Sequence, residues 1–182
     1  MAAFPDYRFK PLSVDDLPLI RRWLDAPHVR RWYGGAREAE TIGRHIREPD
    51  VSPYLVLANG YPIAYLQRYD VRAWRDHPYA DTANVTAGID QFIGPTAFVG
   101  RGHGSAFIRA YLDLCRAQGL SGVLTDPDPA NGRAVAAYRN AGFRPLVRRR
   151  YREGEVLLMT ADLNDIKFSN RKKSRNDRFL PA

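Results

Sequence analysis

The sequence predicts a mixed α/β fold, in which a central twisted sheet of about six to seven strands is flanked by helices. Apolar residues recur at every second position in some segments and at every third or fourth in others, which are the spacings of strands and helices. Glycine, proline and asparagine separate these segments, and the predicted order is β-α-α-β-β-β-α-β-α-β-β. The 182 residues are enough for one domain with a sizeable core.

The first predicted elements are a strand at residues 9–12 and a helix that follows it. Ser13 and Asp16, three residues apart, are typical of a capping box at the start of a helix. Apolar residues then recur at helical spacing until Pro27, which is expected to end the helix. A second helix is predicted at 39–48.

Three strands are predicted next. Segments 53–58 and 62–69 flank the Asn-Gly pair at 59–60, which is the strongest hairpin signal in the chain. A further strand at 85–93 carries Asp90 as a lone acid among apolar neighbours.

The second half of the chain alternates between helices and strands. An amphipathic helix that follows residue 104 is expected to stop at Gly119, and a short strand follows at 122–125. Asp128-Pro129 can cap and start another helix, which ends at Gly142. The last two strands are predicted at 143–150 and 155–161.

A glycine-rich loop at 100–104 is the most informative local feature. Its three glycines allow the backbone to approach a ligand closely, and the following helix directs free N–H groups and its positive end toward that position. Arg101 adds a full positive charge, so the loop is suited to a pyrophosphate. No Gly-Lys-Ser/Thr follows as in a Walker A loop, and the pattern alone leaves open a tight turn without a ligand.

Composition argues against export, membrane insertion and metal binding. No apolar run approaches the ~18 residues of a membrane span, and the N-terminus lacks the apolar region of a secretory signal. The only cysteine, Cys115, cannot form an intrachain disulfide, so a cytoplasmic location is expected. The four histidines show no metal-binding spacing, and no metal is expected.

Segment 164–182 is predicted to be a basic tail after a folded domain at 1–163. Its six basic and two acidic residues give it a charge of +4, half of the net charge of +8. Such a segment is typical of a solvated tail or of a contact with nucleic acid. The remainder is only mildly basic, so charge alone indicates no ligand class.

Two further motifs follow the glycine loop. Thr-Asp-Pro at 125–127 precedes Asn131, and Tyr138 precedes Gly-Phe at 142–143. Together with the Gly-Arg-Gly-His-Gly loop at 100–104, they resemble the acetyl-CoA half of the GNAT acyltransferase fold.

Other motifs resemble those of the aminoglycoside 6'-N-acetyltransferases within that family. They are Trp-Tyr-Gly-Gly at 32–35, Pro-Tyr at 53–54, Asn-Gly at 59–60, Pro-Ile at 62–63, Gly-Ile-Asp-Gln at 88–91 and Thr-Asp-Pro at 125–127. The resemblance extends over about residues 9–163. Val99 stands where many GNAT members carry Gln or Arg, and the basic tail is outside the family pattern, so its role is open.

The resemblance implies direct attack of a substrate amine on the thioester of acetyl-CoA, with both substrates bound together. An ammonium has no lone pair, so the amine must lose a proton. Asp90 is implied as the base that also orients the amine, and Tyr138 as the acid that protonates the leaving thiolate. An Asp90 that only forms an ion pair with the substrate or caps a bulge, and a Tyr138 that is a core residue, are the alternatives.

The resemblance also implies which residues bind acetyl-CoA. Backbone N–H groups after Asp90 bind the pantetheine arm and polarise the thioester carbonyl, while the glycine loop binds the pyrophosphate. Asn131 hydrogen-bonds the coenzyme, with a contact in the first turn of its own helix as the alternative. The implied set is Gln91, Phe92, Ile93, Gly100, Arg101, Gly102, His103, Gly104, Ser105 and Asn131.

An aminoglycoside is a polycation and needs locally acidic surroundings in a basic protein. The acceptor site implied by the resemblance consists of Trp32, Tyr65, Gln67, Asp76, Asp90 and Asp126. Its aromatic and amide groups stack on or hydrogen-bond to sugar rings. Asp81 is another candidate, and for each loop acid a solvated surface position is the alternative.

Two competing functions are weighed against this one. Within the same fold, the acceptor is another amine, such as a siderophore hydroxylamine or a protein N-terminus, although the acidic set favours a polycation. In a different class, the chain is a nucleic-acid-binding module that uses the basic tail. That hypothesis leaves the glycine loop and the Asp90 strand without a role, and the sequence predicts no oligomeric state.

Overall fold

The computed structural model describes residues 5–73, 85, 87–151 and 154–165. The strands in these residues are β1 (Tyr7–Pro11), β2 (Val51–Ala58), β3 (Tyr61–Asp70), β4 (Ala87–Ile93), β5 (Gly122–Thr125), β6 (Arg144–Tyr151) and β7 (Gly154–Asp162). The helices are α1 (Leu17–Asp25), α2 (Pro27–Tyr33), α3 (Ala36–His45), α4 (His103–Ala117) and α5 (Gly132–Ala141). Of the sequence predictions, Asp76, Asp81 and the tail from residue 166 onward lie outside the described residues.

The strands form one mixed sheet, as the sequence predicts. Its order is β1-β2-β3-β4-β5-β7-β6. The pairs β1–β2, β5–β7 and β6–β7 are antiparallel, whereas β4 and β5 are parallel and pair at Ala87 and Gly88. The remainder of β4, residues 89–93, continues beyond those two pairs.

The chain divides into two compact units, and β3 and β4 each contribute residues to both. Unit 1 comprises the described residues 5–68 and 90–104. Its core is formed where the apolar faces of α1, α2 and α3 meet the strands, by residues that are spaced three or four apart in the helices and alternate in the strands. The core residues are Leu12, Ile20, Trp23, Leu24, Val29, Ala39, Ile42, Leu55, Leu57, Tyr65 and Phe92.

Unit 2 comprises the described residues from 69 to 89 and from 105 to 165. The predicted apolar stripe of α4 is confirmed, because Phe107, Tyr111, Leu114 and Cys115 are all buried. Gly119 follows the helix with a φ of 86°, which suits a glycine stop.

The helix boundaries differ from the predictions at three places. Pro27 follows the end of α1 and begins α2, a third helix before β2 that the predicted order lacks, because proline at the first helical position loses no hydrogen bond. The second predicted helix, at 39–48, is α3 and lies three residues earlier in the chain. The predicted start of α5 at Asp128-Pro129 is wrong: the Asp128 carboxylate accepts from the Ala130 N–H in a turn, and α5 begins at Gly132.

The predicted capping box of Ser13 and Asp16 is confirmed, at a 3-10 turn, Val14–Asp16, that leads directly into α1. The Asp16 carboxylate accepts from the backbone N–H of Ser13 at 2.9 Å and also binds Lys10 Nζ at 2.9 Å. Among the described residues, no helix has the length and the apolar character that a membrane crossing requires.

Candidate active site

Asp90 lies on β4 beside the side-chain amide of Gln67 on β3. Gln67 Nε2 donates to Asp90 Oδ2 at 2.8 Å. Burial raises the pKa of the Asp90 carboxyl above its usual value, and the charge of Glu38 raises the pKa further. The hydrogen bond from Gln67 and the charge of His45 act in the opposite direction, so the carboxylate is partly stabilised in a site that disfavours charge.

Gln67 is the centre of a hydrogen-bonded network and is only 7% exposed. Its Oε1 accepts from the Tyr65 hydroxyl at 2.7 Å and lies 3.0 Å from His45 Nδ1. With Asp90 ionised, the NH₂ of Gln67 must face the carboxylate, since a carboxylate only accepts. The amide oxygen is then left for Tyr65 and His45. Gln67 Nε2, Gln67 Oε1 and Asp90 Oδ2 therefore each have a hydrogen-bond partner.

Tyr65 positions this network from within the core. Its ring is fully buried and stacks on Phe92 with centroids 5.2 Å apart, and Tyr33 contacts it edge-on at 6.0 Å. Burial, and then the charge of Asp90, raises the pKa of Tyr65 far above the usual value, so the hydroxyl remains a donor. A fully buried ring offers no exposed face to a sugar, and Tyr65 therefore acts here by holding Gln67 rather than by stacking.

Glu38 and His45 are site residues that the sequence predictions missed. Both lie on α3, seven residues apart, with the buried Ile42 between them on the same helix face. Glu38 is partly buried and its charge acts on both Asp90 and Tyr65. Two polar residues on the buried face of an amphipathic helix were the signal that could have revealed them.

The glycine loop has the backbone that an anion site requires. Gly100 and Gly102 have φ of 75° and 81°, in the region that favours glycine, and α4 starts immediately afterwards. A Cβ at Gly100 would meet no atom within 4 Å, so the space beside this backbone is open. Arg101 is exposed at the start of the helix and adds its charge there.

His103 opens α4 and is tied to the first strand. The Tyr7 hydroxyl and His103 Nδ1 are 2.8 Å apart, and the Phe98 ring contacts the imidazole edge-on at 5.1 Å. Burial, and then the charge of Arg101, lowers the pKa of His103 below its usual value. A neutral imidazole is thus favoured at neutral pH, and the positive charge of the loop comes from Arg101 and the helix end.

The three residues after Asp90 complete β4. Phe92 is buried against Trp23 and Tyr33, and the Ile93 carbonyl accepts from His28 Nε2 at 3.0 Å. Gln91 Oε1 is buried and has no hydrogen-bond partner among the described residues. The backbone of this segment follows the part of β4 that pairs with β5.

The predicted site residues of unit 2 lie on α5 and before it. Tyr138 is 4% exposed, and its ring contacts Phe143 edge-on at 5.3 Å. Asn131 is the N-cap of α5, because its Oδ1 accepts from the Ala134 N–H at 3.1 Å. The helix first-turn alternative is therefore observed for Asn131, while a contact of its amide NH₂ with coenzyme stays a prediction. Asp126 and Ser105 are partly buried.

Trp32 is the most exposed of the predicted acceptor residues in unit 1. It lies on α2 with 38% of its surface exposed, and the Arg31 guanidinium is 4.7 Å from the ring centroid. In the part of the chain that the structure describes, no group of three His, Cys, Asp or Glu could hold a metal ion.

Comparison with known proteins identifies the family. Residues 13–150 match the model of the acetyltransferase (GNAT) domain. Aminoglycoside N(6')-acetyltransferase type 1 of Klebsiella pneumoniae is 30% identical over 142 residues, which cover 72% of this chain and 71% of that protein.

Solved structures of AAC(6')-Ib share the fold. The complex with paromomycin and acetyl-CoA has a TM-score of 0.79 at 26% identity and covers 93% of this chain and 99% of its own. The complex with coenzyme A and kanamycin has a TM-score of 0.77 at 26% identity and covers 86% and 95%. The predicted fold class and the predicted resemblance are both confirmed. The chain belongs to the GNAT acetyltransferase family and is related within it to the aminoglycoside N(6')-acetyltransferases.

Proposed function

We propose that the protein transfers the acetyl group of acetyl-CoA directly to the 6'-amine of aminoglycosides. The observation that carries the proposal is the Asp90 carboxylate, partly buried on β4 and held by Gln67 at 2.8 Å. A chain whose relatives carry this activity by name has here a carboxylate suited to an incoming cationic amine.

The residues of the glycine loop fit the pyrophosphate of coenzyme A. Positive φ at Gly100 and Gly102 turns the backbone of the loop, and the open space at Gly100 leaves room for phosphate oxygens. Arg101 supplies a cation and His103 a neutral imidazole at the same loop. Ser105 in the first turn of α4, and the backbone of Gln91, Phe92 and Ile93, are the further groups that we assign to the coenzyme. Bound acetyl-CoA supplies an activated thioester, and no metal is required.

Asp90 is assigned the removal of a proton from the substrate ammonium. A carboxylate with an ordinary pKa of ~3.9 is a weak base for an amine. The burial that raises the pKa of Asp90 makes the carboxylate a stronger base, while the bond from Gln67 fixes its orientation. Transfer of the proton through one water molecule is compatible with the same geometry.

Tyr138 is assigned the protonation of the leaving thiolate. Its hydroxyl is carried by a nearly buried ring at the last turns of α5, in the motif that precedes Gly142. The position in this motif, rather than a measured distance to coenzyme, supports the role.

The acceptor is held by negative charge in a protein of net charge +8. The carboxylates of Glu38 and Asp90 both lie in unit 1, and the charge of Glu38 raises the pKa of Asp90. An acidic pair inside a basic protein is better suited to a polycation than to a peptide N-terminus, which carries a single positive charge. Trp32 and Gln67 are further acceptor contacts in this proposal, and Asp76 and Asp126 keep that role as predictions from the sequence.

A cytoplasmic location belongs to the same proposal. Cys115 is the only cysteine in the sequence and is buried, so the chain has no intrachain disulfide, which suits a reducing compartment, where acetyl-CoA is also made.

The test is release of free thiol from acetyl-CoA in the presence of acceptors. Matched aminoglycosides with an amine or a hydroxyl at the 6' position, simple polyamines, a hydroxylamine and a peptide N-terminus form the panel. We expect rapid release with the 6'-amine and background release with the 6'-hydroxyl. Equal release with both would refute the 6' assignment, and release only with the peptide or the hydroxylamine would replace the acceptor class.

A further inference from the structure

His45 contacts the catalytic network without contacting the carboxylate itself. It is the last residue of α3, and its Nδ1 lies 3.0 Å from Gln67 Oε1. Gln67 in turn donates to Asp90 at 2.8 Å. One amide therefore connects an imidazole on a helix to a carboxylate on a strand.

The hydrogen-bond pattern fixes which nitrogen of His45 carries a proton. Asp90 requires the NH₂ of Gln67 on its side, so the side facing His45 is the amide oxygen. An oxygen only accepts, and Nδ1 of His45 must donate. The second ring nitrogen, Nε2, lies 4.0 Å from a carboxylate oxygen of Glu48 at the protein surface. The Nδ1 proton is kept in both the neutral and the charged imidazole of this arrangement.

We infer that His45 is a positioning residue for acetyl transfer, acting through Gln67 to keep the amide NH₂ directed at Asp90. This inference rests on the proposed function. Gln67 has three side-chain torsions, and its amide can rotate unless the oxygen is held. Tyr65 holds the oxygen from the core side and His45 from the helix side, so the pair restrains a flip that would place the amide oxygen against the carboxylate.

The position of His45 in α3 supports this role. Its side chain is 17% exposed, although it belongs to the final turn of a helix. It projects from the same face as Ile42 and Glu38, toward the strands rather than toward solvent. Glu40 and Arg44 on the same helix are exposed and offer matched control positions.

Substitutions at His45 can separate the contribution of its Nδ1–H donor from that of its aromatic ring. In His45→Asn the side-chain NH₂ can occupy the place of Nδ1–H, whereas His45→Phe keeps a ring without any donor. We expect His45→Phe to lower kcat by about 3- to 10-fold, the effect of one lost buried hydrogen bond, with the KM for acetyl-CoA unchanged. His45→Asn should restore kcat to within about 2-fold of the wild type, and the control Glu40→Gln should leave it unchanged.

The restraint on Gln67 can be measured without any acceptor. The side-chain NH₂ of Gln67, assigned by its loss in Gln67→Leu, should give slowly exchanging proton signals in the wild type and in His45→Asn. In His45→Phe these signals should broaden or exchange faster. Thermal melting of each variant establishes that it is folded before the comparison is made.

Equal kcat in His45→Phe and wild type, or a loss in His45→Asn as large as in His45→Phe, would overturn the inference. Unaltered exchange of the Gln67 NH₂ in a folded His45→Phe protein would overturn it as well. Failure of the proposed function is a different result, namely no acetylation of any aminoglycoside by the wild type, and the exchange measurement still decides the role of His45 on Gln67.

Discussion

Replacement of Asp90 by Asn tests the chemistry with little change in shape. The Asn oxygen can still accept from Gln67 Nε2, at the 2.8 Å that separates the two groups now, so the network is expected to persist. What disappears is the carboxylate to which we assign removal of the substrate proton. General base catalysis contributes ~100- to 10,000-fold, or ~3–5 kcal/mol of activation free energy at 1.36 kcal/mol per tenfold change. We expect kcat to fall by that amount.

The same substitution is expected to stabilise the fold at neutral pH. The pKa of Asp90 is raised in the folded protein because burial disfavours the charged form. Between its unfolded pKa and its folded pKa, the folded state binds more protons than the unfolded state, so the free energy of unfolding falls as pH rises through this window and the loss persists above it. Asp90→Asn lacks that loss, and its Tm should equal or exceed that of the wild type at pH 7.

Two measurements on one preparation of Asp90→Asn separate an effect on catalysis from an effect on coenzyme binding. Thiol release gives kcat with a 6'-amino aminoglycoside, and the rise in Tm with acetyl-CoA reports whether the coenzyme still binds. We expect kcat to fall by the amount given above and the rise in Tm with acetyl-CoA to be unchanged. Turnover equal to that of the wild type would refute Asp90 as the base, and a large fall in Tm would refute the buried charge as a cost to stability.

Three further predictions concern the coenzyme loop, the core and the acceptor. Acetyl-CoA at 100 times its Kd should stabilise the wild type by ~2.7 kcal/mol. In Gly100→Ala the new side chain meets no atom but the backbone is strained at a φ of 75°, so the rise in Tm that acetyl-CoA causes should be smaller. An equal rise in Tm in the variant and the wild type would argue against coenzyme binding at this loop. Gly94→Ala should lower the free energy of unfolding by ~1–3 kcal/mol or more, because its Cβ would overlap the buried Trp23 ring, and an unchanged denaturation midpoint in urea would contradict that packing. Asp126→Ala should weaken aminoglycoside binding more at low salt than at high salt, and calorimetry that shows an equal loss at both would exclude a role for its charge.

Local patterns in the sequence were sufficient for most of the fold. The Asn-Gly hairpin, the apolar stripe of α4 and the glycine stops each depend on residues close together in the chain, and all are observed. The start of α5 was wrong because two caps compete within four residues: Asp128 closes a turn onto Ala130, and Asn131 then caps the helix. Choosing between two good caps requires knowing where the helix packs.

The sequence by itself also determined the family, and it indicated the glycine loop and Asp90 as candidate site residues, because these are contiguous motifs around residues that bear charge or lack a side chain. Only the tertiary structure decided what surrounds Asp90. Glu38 and His45 lie more than 40 residues before it in the chain, and α3 brings them to the Gln67–Asp90 pair on neighbouring strands. Tyr65 changed from a predicted contact of the sugar to an interior donor for the same reason. Burial and long-range hydrogen bonds depend on which faces meet, and no spacing along one segment encodes that.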